Sequence, residues 1–216
     1  MPTNVTSSRD SSESVNRGSH WDAVYVASEP ESRSWYQKDF STSLELFEAL
    51  EVSESSAVID VGGGESRLVD HLIAKNFSDV TVLDISDVSL KASVQRVGPE
   101  SGVTWITHDL LTWQPERRYD AWHDRAVFHF LAPSDVVLYR ELLLKSLTPK
   151  GAVVLGTFAL DGPEYCSGLA VSRYGCEEIT AFLGDQFEVS ECRKEPHTTP
   201  SGSIQAFTWI GAKRKH

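Results

Sequence analysis

The sequence predicts a doubly wound α/β domain: a seven-stranded, mostly parallel sheet finished by a C-terminal antiparallel hairpin. Three observations carry this. From residue 57 onward, short runs of β-branched and apolar residues alternate with stretches of helical period, which implies parallel strands joined by crossover helices. The first strand runs into three consecutive glycines in "AVIDVGGGESRLVDHL" (57–72) and then into a helix. The chain ends in two strand-like runs joined by a short loop of Pro, Gly, Ser and Thr, a connection that only antiparallel strands can make.

Residues 1–18 are serine-rich with almost nothing to bury, and read as a disordered tail. Residues 19–216 read as one domain, a length at which a single core is ordinary. A mixed aromatic stretch, with "HWDAVY" and "SWYQ", leads into a helix near 39–51. "SAVIDV" (56–61) is a buried strand, and "ESRLVDHLIAKN" an amphipathic helix with Leu68, Val69, Leu72 and Ile73 on one face. "VTVLD" (80–84) is the second strand. "SDVSLKASVQRV" is a helix with Ser86 as N-cap. "VTWITHD" (103–109) and "YDAWHD" (119–124) are the third and fourth strands, followed by "PSDVVLYRELLLKSL", a helix with proline in its first turn. "AVVLGTFAL" (152–160) is the fifth strand and "CEEITAFLG" a short helix. "FEVSECRKE" and "IQAFTWIGAKR" form the hairpin around the loop "PHTTPSGS" (196–203).

The formal net charge of −11 argues against a nucleic-acid partner, because phosphate contacts need clustered lysine and arginine. An acidic surface suits a basic protein partner, and equally suits solubility alone. No apolar run approaches the roughly 20 residues that span a bilayer, so no membrane partner is expected. Cys166, Cys176 and Cys192 have no metal-ligand spacing and are too few for a disulfide scaffold, which leaves no metal expected and suits a reducing cytoplasm.

Glycine is costly in regular structure, so three of them at a strand–helix seam imply close approach to the backbone. In doubly wound sheets ligands sit at this carboxyl edge. The dinucleotide pattern G-x-G-x-x-G starts at Gly62 and Gly64 but ends on Arg67, and no lysine followed by Ser or Thr makes a phosphate loop.

"VIDVGGG", with Asp60 ahead of Gly62, Gly63 and Gly64, resembles the strand–loop signature of the class I S-adenosylmethionine-dependent methyltransferases. That resemblance implies a Rossmann-like methyltransferase fold and S-adenosyl-L-methionine as cofactor. It implies that Asp60 meets the donor's amino group and that Asp84, beside Ile85, grips the ribose hydroxyls. Asp109, beside Leu110, would bind the adenine amine, and His123 would border the donor. Each aspartate also suits the cap of the helix after its strand. The longer stretch "VIDVGGGESRLVDHLIAKNFSDVTVLDIS", with the upstream "HWDAVY" and "SWYQ", resembles the elongation-factor lysine methyltransferase group and its bacterial relatives. At the fourth strand "WHDRAVFHFL" keeps the charge pair Asp124 and Arg125 but departs from that group's pattern at Ala126 and Val127.

The acceptor side is read from the same edge. A protonated acceptor needs a base in reach. His197, in the hairpin loop, is the expected base, with His123 and Asp124 in support. Trp35, Tyr36, Arg125, Cys166, Arg173 and Tyr174 are expected to border the acceptor, the first two as a lid. Each also has an ordinary structural use: a satisfied interior histidine, a packed thiol, an arginine paired with an acid. The expected activity is methyl transfer to a small molecule through a thiol, amine or hydroxyl. Protein lysine methylation is the alternative, and a non-catalytic donor-binding or interaction protein a further one.

Overall fold

The computed structural model describes residues 10–216, with side chains from residue 17 onward. Nine strands and six α-helices follow in the order α1 (Asp10–Val26), α2 (Ser41–Ala49), β1 (Ala57–Val61), α3 (Leu68–Ala74), β2 (Asp79–Asp84), α4 (Asp87–Val97), β3 (Thr104–Thr107), β4 (Tyr119–Arg125), α5 (Pro133–Ser146), β5 (Leu147–Phe158), β6 (Tyr165–Cys166), β7 (Leu169–Ala170), α6 (Cys176–Leu183), β8 (Phe187–Thr198) and β9 (Ile204–Arg214). Seven strands form one sheet in the order β3-β2-β1-β4-β5-β9-β8. β1 to β5 are parallel, β9 runs against β5, and β8 runs against β9, so β9 alone is reversed. The doubly wound sheet with its terminal hairpin is as the sequence predicts.

Side chains alternate across the sheet, because successive strand residues point to opposite faces. Ala57, Ile59 and Val61 pack with Leu142 and Leu143 of α5 and Ile179 of α6, whereas Val58 packs with Phe47 of α2 and Leu68 and Leu72 of α3. β1 is buried along its whole length, so it reads as a continuous apolar run interrupted only by Asp60. Ser86 caps α4 as expected, its hydroxyl accepting from the Ser89 amide at 3.1 Å.

Three sequence expectations need correcting. Residues 1–9 of the expected tail lie outside the described residues, but from Asp10 the chain is helical. α1 is held by tertiary contact: Asp22 accepts from the Ser86 hydroxyl at 2.6 Å and from the Val88 amide at 3.3 Å, at the start of α4. The hairpin loop is shorter than its composition suggests. Pro196 and His197 are inside β8, paired with Ala206 and Gln205. β8 is an edge strand, where a proline lacking its N–H is tolerated. A further small hairpin, β6–β7, turns through Ser167 and Gly168, both at positive φ, the geometry that suits tight hairpins.

The third correction concerns the cysteines. Cys176, the first residue of α6, and Cys192 in β8 form a disulfide with their Cα atoms 5.9 Å apart and a sequence separation of 16. Cys166 is the free, buried thiol. A bridge closing a loop of this size stabilises by about 3 kcal/mol through the unfolded state. Reduction, or Cys176→Ser, should therefore lower the melting temperature by several degrees. A melting curve indifferent to reductant would show that the bond does not form in solution.

Candidate active site

The strand alternation sorts the acidic and histidine residues of the carboxyl edge. Asp60 and His123 are neighbours in register on β1 and β4 and face the α2–α3 layer. His123 Nδ1 lies 2.7 Å from Asp60 Oδ1 and Nε2 lies 3.0 Å from Ser43 Oγ, so both ring nitrogens are engaged and the ring is buried. Asp124, one residue on, points the other way. Its Oδ2 accepts from Tyr139 Oη at 2.7 Å and its Oδ1 from the Val127 amide at 2.9 Å. Burial pushes its pKa up to about 6. Asp124 thus pins the turn after β4, where Ala126 sits at φ 72°, an uncommon conformation for a residue with a side chain.

The glycine seam is crowded by the protein itself. A Cβ on Gly62 would overlap Val127, and one on Gly64 would overlap the Tyr25 hydroxyl. One on Gly63 would come within 2.7 Å of Asp60 Oδ2. Gly62 and Gly64 also have positive φ, at 67° and 41°. The close approach inferred from sequence is real, and part of it is made by α1.

Two cavities flank this seam. The smaller is bordered by Asp60, Gly62 and Gly63 with Arg33, Trp35, Tyr36 and Arg125. The larger runs from the ends of β2 and β3 to the turn after β4. Its polar wall holds Asp84 and Asp109, and Ile85 and Leu110 also line it. Its aromatic wall holds Trp21, Tyr25, Trp35 and Phe130, with Trp21 at 5.1 Å from Phe130 and 6.2 Å from Trp35 between ring centroids. Asp84 is buried, accepts from the Ser86 amide at 2.8 Å, and is pushed up to about 7 by that burial and by the neighbouring Asp60 charge. Asp109 accepts from the Leu111 amide at 3.0 Å, and its other oxygen from Arg17 Nη2 at 2.6 Å and Nε at 3.1 Å.

The remaining expected residues divide. Trp35 and Arg125 line both cavities, Tyr36 the smaller and Cys166 the larger. Arg173 lies outside both, paired with Glu164 at 3.1 Å, and Tyr174 packs on Phe128 with centroids 4.8 Å apart. His197 also borders neither cavity. Its Nε2 is 2.8 Å from the Ser34 carbonyl, and burial together with the Arg125 charge holds its pKa below the ordinary value. It ties β8 to the 27–40 segment rather than facing an acceptor. His123 and Asp124 are likewise consumed by structural bonds, so the expected base constellation is not assembled. Arg17, Trp21 and Tyr25 were missed, although the i, i+4 spacing of Trp21 and Tyr25 is a helical-face signal.

A seven-stranded sheet with one reversed strand, a glycine turn after β1 and carboxylates near the ends of β1 and β2 make a Rossmann-like methyltransferase fold. Residues 58–151 match the Methyltransf_25 family, a methyltransferase domain, so this central part of the chain is a methyltransferase domain. It is 29% identical over 166 residues to alpha N-terminal protein methyltransferase 1 of Caenorhabditis elegans, covering 67% of this chain and 70% of that protein. The fold is similar to that of 1,6-didemethyltoxoflavin-N1-methyltransferase of Burkholderia thailandensis with bound 1,6-didemethyltoxoflavin and S-adenosylhomocysteine. There the TM-score is 0.72 at 16% identity, over 100% of this chain and 94% of that one. It is also similar to the N-methyltransferase NodS of Bradyrhizobium japonicum in complex with S-adenosylhomocysteine, with TM-score 0.63 at 14% identity over 83% and 90% of the two chains.

The residues at this edge fit S-adenosylmethionine as a methyl donor. The donor carries a positive charge, and two buried carboxylates, Asp60 and Asp84, stand at this edge, the pKa of Asp84 raised chiefly by burial and further by the Asp60 charge. A cation between them relieves that repulsion. Among the described residues no three His, Cys, Asp or Glu side chains are grouped to hold a metal ion, and no helix is long and apolar enough to cross a membrane.

Proposed function

We propose that this enzyme methylates a small molecule through a thiol, amine or hydroxyl. The observation that supports the reading is the aromatic lining of a partly covered pocket, bordered by α1, the 27–40 segment, the turn after β4 and the β6–β7 hairpin. Such a chamber suits a compact acceptor better than an extended chain. The Burkholderia enzyme's small heteroaromatic ligand supports the same reading. A second reading, methylation of a protein amine, is favoured by the Caenorhabditis relative and by the sequence likeness to lysine methyltransferases. Nucleic acid remains disfavoured by the net charge of −11. The Cys176–Cys192 bond removes cysteine usage as support for a cytoplasmic site of action.

In this reading Asp84 holds the ribose hydroxyls, Asp60 the donor's amino group and Asp109 the adenine amine, while Ile85 and Leu110 flank the base. When bound, the donor supplies a methyl group already activated by its sulfonium. The chain's work is then to align the acceptor and exclude water. His123 orients Asp60, so His123→Ala should weaken S-adenosylhomocysteine binding by about tenfold, the worth of a charge-assisted hydrogen bond. Titration calorimetry checks this, and unchanged affinity would free Asp60 from that dependence.

The test of the reading is release of S-adenosylhomocysteine by the purified enzyme with small thiols, phenols and amines, set against lysate proteins and peptides. Turnover confined to the protein arm would replace the first reading with the second.

A further inference from the structure

Arg125 is the unusual charge of this site. It closes β4 on the same face as His123 and lines both cavities. Nη1 donates to the Trp35 carbonyl at 2.7 Å. Nε and Nη2 are buried and have no hydrogen-bond partner. The guanidinium lies 4.8 Å from the Phe207 ring centroid.

Among the described residues no carboxylate balances it, although the chain has 31 acidic residues against 20 lysines and arginines. Arg17, Arg33, Arg67, Arg96, Arg117, Arg173 and Arg193 are all paired with carboxylates. The histidines near Arg125 offer no counter-charge. His129 is stacked on Phe158 at 4.3 Å and held neutral, its pKa lowered to about 3 by burial and by Arg125 itself. Burial pushes the Cys166 thiol up, which keeps it protonated. An unpaired buried charge is expensive, and a fold keeps one where a ligand completes the pair.

The shape of the vacancy is specific. Nε–H and Nη2–H lie along one edge of the guanidinium plane, the side-on edge that a carboxylate fills with two parallel hydrogen bonds. The larger cavity that Arg125 lines is also lined by the aromatic side chains Trp21, Trp35 and Phe130.

Resting on the methyltransferase reading above, we infer that the acceptor is an aromatic molecule bearing a carboxylate or similar planar oxyanion, held by the free Nε–Nη2 edge of Arg125 between the aromatic walls. The amine, hydroxyl or thiol that takes the methyl group is carried on the same ring. Arg125 therefore selects the substrate. A cationic peptide amine meets a like charge there, which disfavours it.

Matched pairs test this: anthranilate against aniline, salicylate against phenol, and thiosalicylate against thiophenol. Binding to the S-adenosylhomocysteine complex is followed by calorimetry, and turnover by S-adenosylhomocysteine release. The carboxylated member of each pair should bind wild type at least tenfold more tightly. Arg125→Gln should lose that preference while S-adenosylhomocysteine affinity stays within about twofold. Arg125→Lys, which keeps the charge without the fork, should lose most of the preference, and decides the matter if the glutamine variant does not fold. Equal binding within pairs, or no binding of any carboxylate, overturns the inference. So does a fall in S-adenosylhomocysteine affinity in the variants, which would give Arg125 to the donor's own carboxylate. Failure of wild type to bind S-adenosylhomocysteine overturns the methyltransferase reading, and this inference with it.

Discussion

Asp84→Asn should weaken S-adenosylhomocysteine binding by about 10- to 150-fold, the loss of roughly 1.5–3 kcal/mol expected when hydrogen bonds to a charged group are removed. The variant should nevertheless melt no lower than wild type at pH 8 in the absence of donor. Burial and the Asp60 charge raise the Asp84 pKa to about 7, against about 3.9 for an unfolded aspartate. A raised acid pKa means that the folded chain tolerates the proton better than the charge. Its contribution to stability is full below about pH 4 and is lost as pH rises through about 7. The asparagine variant lacks that loss. The ribose hydroxyls, as hydrogen-bond donors, favour the charged carboxylate, so wild-type affinity should rise about tenfold between pH 6 and pH 8, with proton release. Calorimetry in two buffers of different ionisation enthalpy measures that proton. A flat pH profile in wild type would remove Asp84 from the ribose.

The strand ends that carry Asp60 and Asp84 were legible in the sequence, and the partners of the fourth-strand residues were not. Asp60 and Asp84 each end a short run of β-branched residues, and runs of that kind locate strand ends well. Ser86 follows the second run with the helix-capping chemistry that its position requires. Period two along β4 was equally available, and it separates His123 from Asp124 onto opposite faces. What it does not supply is partners. Tyr139, which bonds Asp124, and Ser43, which meets His123, come from helices 15 and 80 residues away.

His197 was misplaced for a different reason. Pro196 and the threonines that follow look like a loop, yet an edge strand carries proline without losing a ladder bond. The cysteine bridge was invisible because Cys176 and Cys192 belong to different elements, and nothing in their spacing announces that α6 lies over β8. α1 was missed because a serine-rich segment has little intrinsic reason to be helical. Its order comes from Asp22 on α4 and Arg17 on Asp109, contacts that exist only once the sheet is assembled.

Those contacts give α1 a place at the edge of the larger cavity. Deleting residues 1–26 should weaken S-adenosylhomocysteine binding by about 100-fold or more and abolish turnover. The deletion removes two aromatic walls of the larger cavity, Trp21 and Tyr25, and the cation on Asp109. Each aromatic face that a ligand covers contributes about 2 kcal/mol by area, and together they dominate the effect. The ion pair is the smaller part, because the Arg17 side chain is 40% exposed. A pair that open to solvent is worth about 1 kcal/mol at most. Arg17→Ala alone should therefore change affinity by no more than about fivefold. Arg17 occupies one oxygen of Asp109, so on the proposed adenine role of Asp109 the direction of that small change reports which partner the carboxylate prefers. Tighter binding in Arg17→Ala means that the arginine competes with the base, and weaker binding means that it holds α1 down over it. Trp21→Ala should lose more than tenfold in affinity with the fold intact, as judged by circular dichroism. Normal donor affinity and turnover after deletion of residues 1–26 would show that α1 is no part of the active site.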